Sequence, residues 1–319
     1  MSEIRKIVVI GSVNMDLVAR APRMPAPGET VLGENFVTIP GGKGANQATA
    51  AAKLARPGTE VHLVARVGED DFGTRLLNSL AQYGVHTEKV IITEGVASGV
   101  AMIVVDKRGE NSIIVAPGAN AKLKLADIDA AEGLIATASV VVMQLEVPIP
   151  TITHAIAVCQ RHGVFTILDP APVPPKGLPR ALYGVDLLTP NQSETNQLIG
   201  QEKRSAKRNR RPPDAKQAGS QLLAHGCKTV ILKLGAKGAM LIERHGTIRT
   251  ARGFKVDVID TTAAGDAFTG ALAVARAEGM TFPEAMSFAN AAGAACCQSF
   301  GAQPALPERE AVEKLLASR

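Results

Sequence analysis

Residues 7–16 read IVVIGSVNMD, and their opening decides the fold. Ile7 to Ile10 is an unbroken β-branched run that stops at Gly11. A strand with no polar alternation is buried on both faces, as in a parallel sheet covered by helices on each side. Outward from this run, MDLVAR and ETVLGENFVTI flank the turn-rich PRMPAPG and alternate with polar residues, which predicts a small sheet set apart from the main one. A helix is expected over 43–55, a strand over Val61–Val67, and a helix from about Asp71 to Gln82. Strands follow near 89–93, 99–105 and 111–115. Strand and helix then alternate: Val140–Leu145, 150–161, Phe165–Leu168, Leu187–Leu188, 193–199, 215–225 and Thr229–Leu234. A hairpin over about 239–250 precedes two alanine-rich helices, 264–278 and 282–298. Repeated βα units predict an α/β fold, a three-layer α/β/α arrangement around a mostly parallel open central sheet, with the small β-sheet beside it.

The chain's 319 residues suit one large domain with a small appendage better than two full domains. There is no Trp, and only two Tyr and eight Phe, so a platform for stacking single-stranded nucleic acid is not expected and a ligand site must be polar. No apolar stretch approaches the length of a membrane span; SVVVMQLEV is broken by Glu146. No signal peptide is read at the start, and Cys159, Cys227, Cys296 and Cys297 have no zinc-like spacing. Reduced thiols in a cytoplasmic protein are the simple expectation. The net charge of +5 is local: residues 203–216, KRSAKRNRRPPDAK, hold seven Lys or Arg against Asp214, and the rest is balanced to within one charge. That segment reads as a solvated loop, with a patch for polyanions as the sharper alternative.

GSVNMD after the first strand is not G-x-G-x-x-G, so a dinucleotide oxidoreductase has little support, and GGKGANQA (41–48) lacks the spacing of a Walker A loop. The chemistry concentrates instead in DTTAAGDAFTG, residues 260–270. Small side chains at Ala263, Ala264 and Gly265 let backbone N–H groups converge at the positive end of a helix, a site suited to a phosphate. Asp266 within it fits a base that takes a proton from an attacking hydroxyl; the plainer alternative is a helix cap. Asn14 and Asp16 offer the donors and acceptors that a polyol needs. Gly41 and Gly42 permit close backbone approach, and Lys43 and Asn46 face one way on the next helix, unless the segment is only a turn and a capped helix. Asn191 and Glu194 are spaced to face phosphates, Glu194 ordering Mg²⁺ through water, or else to cap a helix.

DTTAAGDAFTGAL and GGKGANQA resemble the two signatures of the ribokinase family of carbohydrate and nucleoside kinases. GSVNMD, MQLE, TPNQSE, LGAKGA and GAQPA resemble further family segments in the same order, so the likeness spans nearly the whole chain. It implies one α/β domain over 1–319, with lid strands from about 12–40 and 89–115, and a homodimer formed through the lid. Asp266 is implied as base, with the amides of Ala263, Ala264, Gly265 and Asp266 as the anion hole. Asn14, Asp16, Gly42, Lys43, Asn46 and Glu146 are implied to bind the sugar. ATP is implied at Asn191, Glu194, Gly265, Asp266 and Asn290, and along Lys233, Leu234, Gly235, Ala236, Lys237 and Gly238, although Lys233 stands where Thr is common. K⁺ is implied beside Asp260, Thr262, Cys296, Ser299 and Gly301; Ala305 replaces the frequent Ser. GSVNMD with GGKGANQA points to D-ribose phosphorylated by ATP on its 5-hydroxyl. The alternatives are another small sugar such as deoxyribose or a ketose, a nucleoside, or a sensor that binds without turnover.

Overall fold

The computed structural model describes residues 4–200 and 214–318. The basic segment 203–216 thus lies outside the described residues up to 213. The chain opens with β1 (Arg5–Ile10), then β2 (Asn14–Arg20), β3 (Asn35–Gly41), α1 (Lys43–Leu54), β4 (Thr59–Gly68) and α2 (Asp71–Gln82). Next come β5 (Val85–His86), β6 (Val90–Thr93), β7 (Gly99–Val105), β8 (Asn111–Ala116), α3 (Leu125–Asp129) and α4 (Glu132–Ala136). β9 (Val140–Met143), α5 (Ile149–His162), β10 (Phe165–Leu168), β11 (Leu187–Leu188) and α6 (Gln192–Gly200) follow. The chain then forms α7 (Ala215–Ala224), β12 (Thr229–Lys233), β13 (Ala239–Glu243) and β14 (Ile248–Ala251). It ends with α8 (Ala264–Ala277), α9 (Phe282–Cys296) and α10 (Arg309–Ala317).

The main sheet runs β14-β13-β12-β11-β10-β9-β1-β4-β5, parallel from β5 to β12 and antiparallel only in the last two pairings. The β-branched run behaves as its composition requires. Ile7 and Val9 pack into the core under α1, α8 and α9, while Val8 and Ile10 enter a second core against α5. Both layers are therefore buried against helices, and neither face of Ile7–Ile10 meets water. From β1 the chain turns one way to β4 and β5, then returns on β1's other side through β9, β10, β11 and β12. The crevice between β1 and β9 is thus a topological switch point, where ligands enter open α/β sheets.

The second sheet has the order β3-β2-β7-β8. β6, expected among the lid strands of 89–115, pairs in parallel with Ala65–Gly68 of β4 and so belongs with the main sheet. Its partner could not be read locally, because pairing is decided by a strand some 25 residues earlier in the chain. The apolar alternation of 254–259 forms no strand, α10 and the short helices α3 and α4 were not anticipated, and β9 stops at Met143 so that Glu146 stands beyond the strand. No helix among the described residues is long and apolar enough to cross a membrane.

Close backbone contact fixes α1 against the end of β1. A Cβ at Gly44 would lie 2.6 Å from both the carbonyl carbon of Gly11 and the N of Ser12. Neither atom belongs to a side chain that could swing aside. Gly44→Ala is therefore expected to cost about 1–3 kcal/mol in chemical denaturation; an unchanged midpoint would show that α1 can shift freely.

Candidate active site

Three segments bring carboxylates and amides to the switch point. Asn14 and Asp16 follow β1, Glu146 follows β9, and α1 begins at Lys43 immediately after Gly42, whose φ is +87°. A Cβ on Gly42 would meet the N of Asn14 at 2.6 Å, so the glycine lets the two segments touch. Asn14 Oδ1 accepts from Asn120 Nδ2 at 2.7 Å, which fixes the orientation of its amide. Glu146 Oε2 accepts from Ser12 Oγ at 2.5 Å and from the Lys43 N–H at 3.1 Å. These bonds hold a carboxylate of a loop against the first turn of α1.

Asp266 lies in the first turn of α8 and is 6% exposed. No side chain caps this helix; Ala263, at the N-cap position, takes φ 59°, left-handed and strained for alanine. The first N–H groups of α8 are consequently free of a side-chain acceptor, beside a carboxylate that does not serve as the cap. That carboxylate is instead held from α1: Gln47 Nε2 donates to Oδ1 at 2.9 Å and Asn46 Nδ2 donates to Oδ2 at 3.0 Å. Asn46 Oδ1 is buried with no donor among the described residues, an acceptor suited to a ligand hydroxyl.

The electrostatics follow from crowding. Burial raises Asp266 above the usual carboxylate range and Asp169 adds to it, while Lys43 and the amides of Gln47 and Asn46 pull the other way. Burial, then the carboxylates of Glu146 and Asp266, push Asp16 up to about 7. Burial works against the charge of Lys43, yet Asp266, Asp169, Glu146 and Glu194 raise its pKa overall, so it remains an ammonium. A buried base with a raised pKa is matched to accepting a proton near neutral pH.

A cleft of about 710 Å³ opens from Lys43 and Asp266. Asn191, Glu194 and Lys233 line it from the ends of β11 and β12, Gly235, Ala236 and Gly238 from the following turn, Ala263 to Gly265 from α8, and Asn290 from α9. Leu234 instead packs into the core and Lys237 is exposed to solvent, so neither lines the cleft. Asn191 and Glu194 form a closed pair: Asn191 N and Nδ2 donate to Glu194 at 2.7 Å each, and Glu194 N donates back to Asn191 Oδ1 at 2.8 Å. The helix-capping and cleft-lining readings of this pair hold together. Burial raises Glu194, with Lys233 opposing. Asn290 Nδ2 donates to the carbonyls of Ala251 and Arg252.

Beside the α8 turn, Asp260 accepts from Thr262 N and Oγ1 and from Gly301 N, at 2.9, 2.7 and 3.0 Å. Burial opposes the charge of Asp260, but these bonds hold it below the usual range. Cys296 Sγ donates to the Thr262 carbonyl at 3.5 Å, and Ala305 packs in the same small apolar cluster as Cys296 and Ala267. Ser299 stands exposed past the end of α9. Two central residues escaped the sequence reading. Gln47 sits one position past Asn46 in a quoted motif. Asp169 ends the strand TIL just before Pro170 and is 2% exposed; a carboxylate closing an apolar strand was the available signal.

A polar crevice at the switch point, with a buried carboxylate at an uncapped helix start, defines a group-transfer fold acting on a small hydroxylated molecule. The chain matches the model of the pfkB family carbohydrate kinases over residues 4–309 and belongs to that family. It is 37% identical to a ribokinase of Haemophilus influenzae over 306 residues, 96% of each chain. It is 35% identical to a deoxyribokinase of Salmonella typhi over 84% of each. The structure of Arabidopsis thaliana ribokinase complexed with ribose and ATP is 33% identical, with a TM-score of 0.85 over 98% of both chains.

The pKa of Asp16 yields a stability test. Raised from 3.8 to about 7, its native state favours the protonated form, so its contribution to stability is whole below pH 3.8 and is lost as pH rises through about 7. Asp16→Asn should therefore be more stable than the native chain at pH 8 by on the order of a few kcal/mol. The gap should shrink toward pH 4. A gap constant between pH 5 and 8 would show that Asp16 ionises freely.

Proposed function

We propose that the protein transfers the γ-phosphoryl of ATP to the 5-hydroxyl of D-ribose, with Asp266 as general base. One observation carries the reading: a buried carboxylate, gripped by two amides, stands in the uncapped first turn of α8 at the junction of cleft and polar cluster. ATP occupies the 710 Å³ cleft, and the sugar lies among Asn14, Asp16, Gly42, Lys43, Asn46 and Glu146. The Arabidopsis relative, complexed with ribose and ATP, supports the choice of these two substrates. The sugar hydroxyl gives its proton to Asp266 as its oxygen bonds to the γ-phosphorus, and the bond from that phosphorus to the β–γ bridging oxygen breaks. ADP leaves, and the amides of Ala263 to Asp266 receive the charge that develops on the transferred group.

The hard oxygen donors of Glu194 and Asn191 suit Mg²⁺ held through water, which when bound neutralises phosphate charge. A monovalent cation would lie beside the hydrogen-bonded group of Asp260, Thr262 and Gly301, with Cys296 and Ser299 adjoining, although Ala305 brings no side-chain oxygen. The small sheet serves as a lid over the sugar. Phe36, Met102 and Ile114 stand 60, 44 and 65% exposed on one face of it. Such an apolar patch supports a homodimer through the lid, which sedimentation at micromolar concentration checks. The four cysteines form no disulfide, in keeping with a cytoplasmic protein.

The deoxyribokinase relative favours deoxyribose as the second reading. A coupled ADP-release assay with ribose, deoxyribose, ketoses and nucleosides decides: ribose should give the highest kcat/KM, and preference for another acceptor would displace it. In the same assay Asp266→Asn should lower kcat by about 10²–10⁴-fold with the sugar KM little changed. ATP and ribose binding without ADP release in the native chain would mark a sensor. Exchange of K⁺ for a bulky organic cation should slow turnover; equal rates would remove K⁺ from the account.

A further inference from the structure

The proposed reaction leaves one buried cation of the cleft without a task. Lys233 ends β12, where its N–H donates to the Pro190 carbonyl at 2.9 Å and a parallel bridge joins it to Asn191. Its side chain is turned inward and is only 11% exposed. The ammonium lies 3.1 Å from both carboxylate oxygens of Asp169 at the end of β10. It also stands 3.6 Å from the point that a Cβ on Gly265 would occupy, so it flanks the amide turn that opens α8.

Asp169 does more than balance that charge. Its Oδ2 accepts from Gln47 Nε2 at 3.1 Å, and the same nitrogen donates to Asp266 Oδ1 at 2.9 Å. Lys233, Asp169, Gln47 and Asp266 thus form one continuous chain drawn from four different elements. An ammonium has three donors, and the two oxygens of Asp169 engage at most two of them. The remaining donor can face the cleft. The other lysines there stand elsewhere: Lys43 is surrounded by Glu146 and Asp266, and Lys255 is exposed at the rim. Among the described residues, no arginine lines the cleft. A purely structural ion pair explains the contact with Asp169, but not why the ammonium lies against the glycine of the phosphate turn. Buried pairs also add little stability over apolar replacements.

We propose that Lys233 is a catalytic residue that holds the transferring phosphoryl group, and that Asp169 positions it while sharing Gln47 with Asp266. The inference rests on the reading of the cleft as a phosphoryl-transfer site. Charge that spreads over the equatorial phosphoryl oxygens meets the full positive charge of Lys233 in addition to the partial charges of the backbone amides. Lysine serves phosphates as a point charge in this manner.

Steady-state kinetics with ribose and ATP test it on Lys233→Met, Lys233→Arg, Asp169→Asn and the double variant Asp169→Asn/Lys233→Met, beside Asp266→Asn. Lys233→Met should lower kcat by about 10²–10³-fold, the loss found when one preorganised donor to a developing charge is removed. The sugar KM should stay within about threefold, and Lys233→Arg should recover most of the loss. The double variant should be no slower than Lys233→Met, because the two residues act as one unit. Calorimetric titration should show Lys233→Met losing the native preference for a non-hydrolysable ATP analogue over ADP, which a structural role would leave intact. If Lys233→Met leaves Asp169 buried, unpaired and the chain unfolded, the double variant carries the test, since it buries no lone charge. Native kcat and native nucleotide preference in Lys233→Met or in the double variant overturn the proposal. Should Asp266→Asn also turn over at the native rate, the reading of the cleft falls with it; a collapse of Asp266→Asn alone leaves that reading standing.

Discussion

A carboxylate taken out of water must be held by donors or by charge, and the rest of the structure is arranged around that need at Asp266. Its two amide donors come from α1, which is pinned to the end of β1 by the Gly11–Gly44 contact. α8, which carries Asp266, is set against α1 with equal closeness: a Cβ on Gly270 would meet the Gln47 carbonyl oxygen at 2.8 Å. Glycines on both sides therefore let the two helices approach until Asn46 and Gln47 reach the carboxylate. Bulk at either place would part donors from acceptor before it touched any ligand.

Charge is unevenly supplied around this point. Among the described residues, Asp16, Glu146, Asp169, Glu194 and Asp266 gather near only two buried ammonium groups, Lys43 and Lys233. Burial, with neighbouring carboxylates adding to it, raises Asp16, Glu194 and Asp266. Such a site holds protons readily and tolerates a polyanionic nucleotide poorly without added cations. Acid-base chemistry at one end and a cation requirement at the other are consequences of the same crowding.

Much of the fold was legible because buried parallel strands announce themselves: Ile7–Ile10, Val140–Met143 and Val230–Leu232 are apolar runs that the sheet buries on both faces. What was not legible depends on partners distant in sequence. β6 looks like any short strand until β4 is beside it. Lys233 reads as a nucleotide neighbour standing where Thr is common, and its pairing stays hidden because its counter-ion, Asp169, is 64 residues away. Gln47 carries no local mark of its double bond to Asp169 and Asp266, which only the packing of α1 on α8 creates. The quoted motifs worked better, since the residues of GGKGANQA and DTTAAGDAFTG lie on the two helix starts that meet in the crevice.

The central claim is spatial: phosphate at the start of α8, a sugar hydroxyl against Asp266, and one line between them. A crystal structure with a non-hydrolysable ATP analogue and ribose tests it most directly. The account predicts the γ-phosphate on the N–H groups of residues 264–266, with the 5-hydroxyl in hydrogen-bond contact with the Asp266 carboxylate. A γ-phosphate lodged away from that turn, or a sugar whose hydroxyls all point away from Asp266, would contradict it.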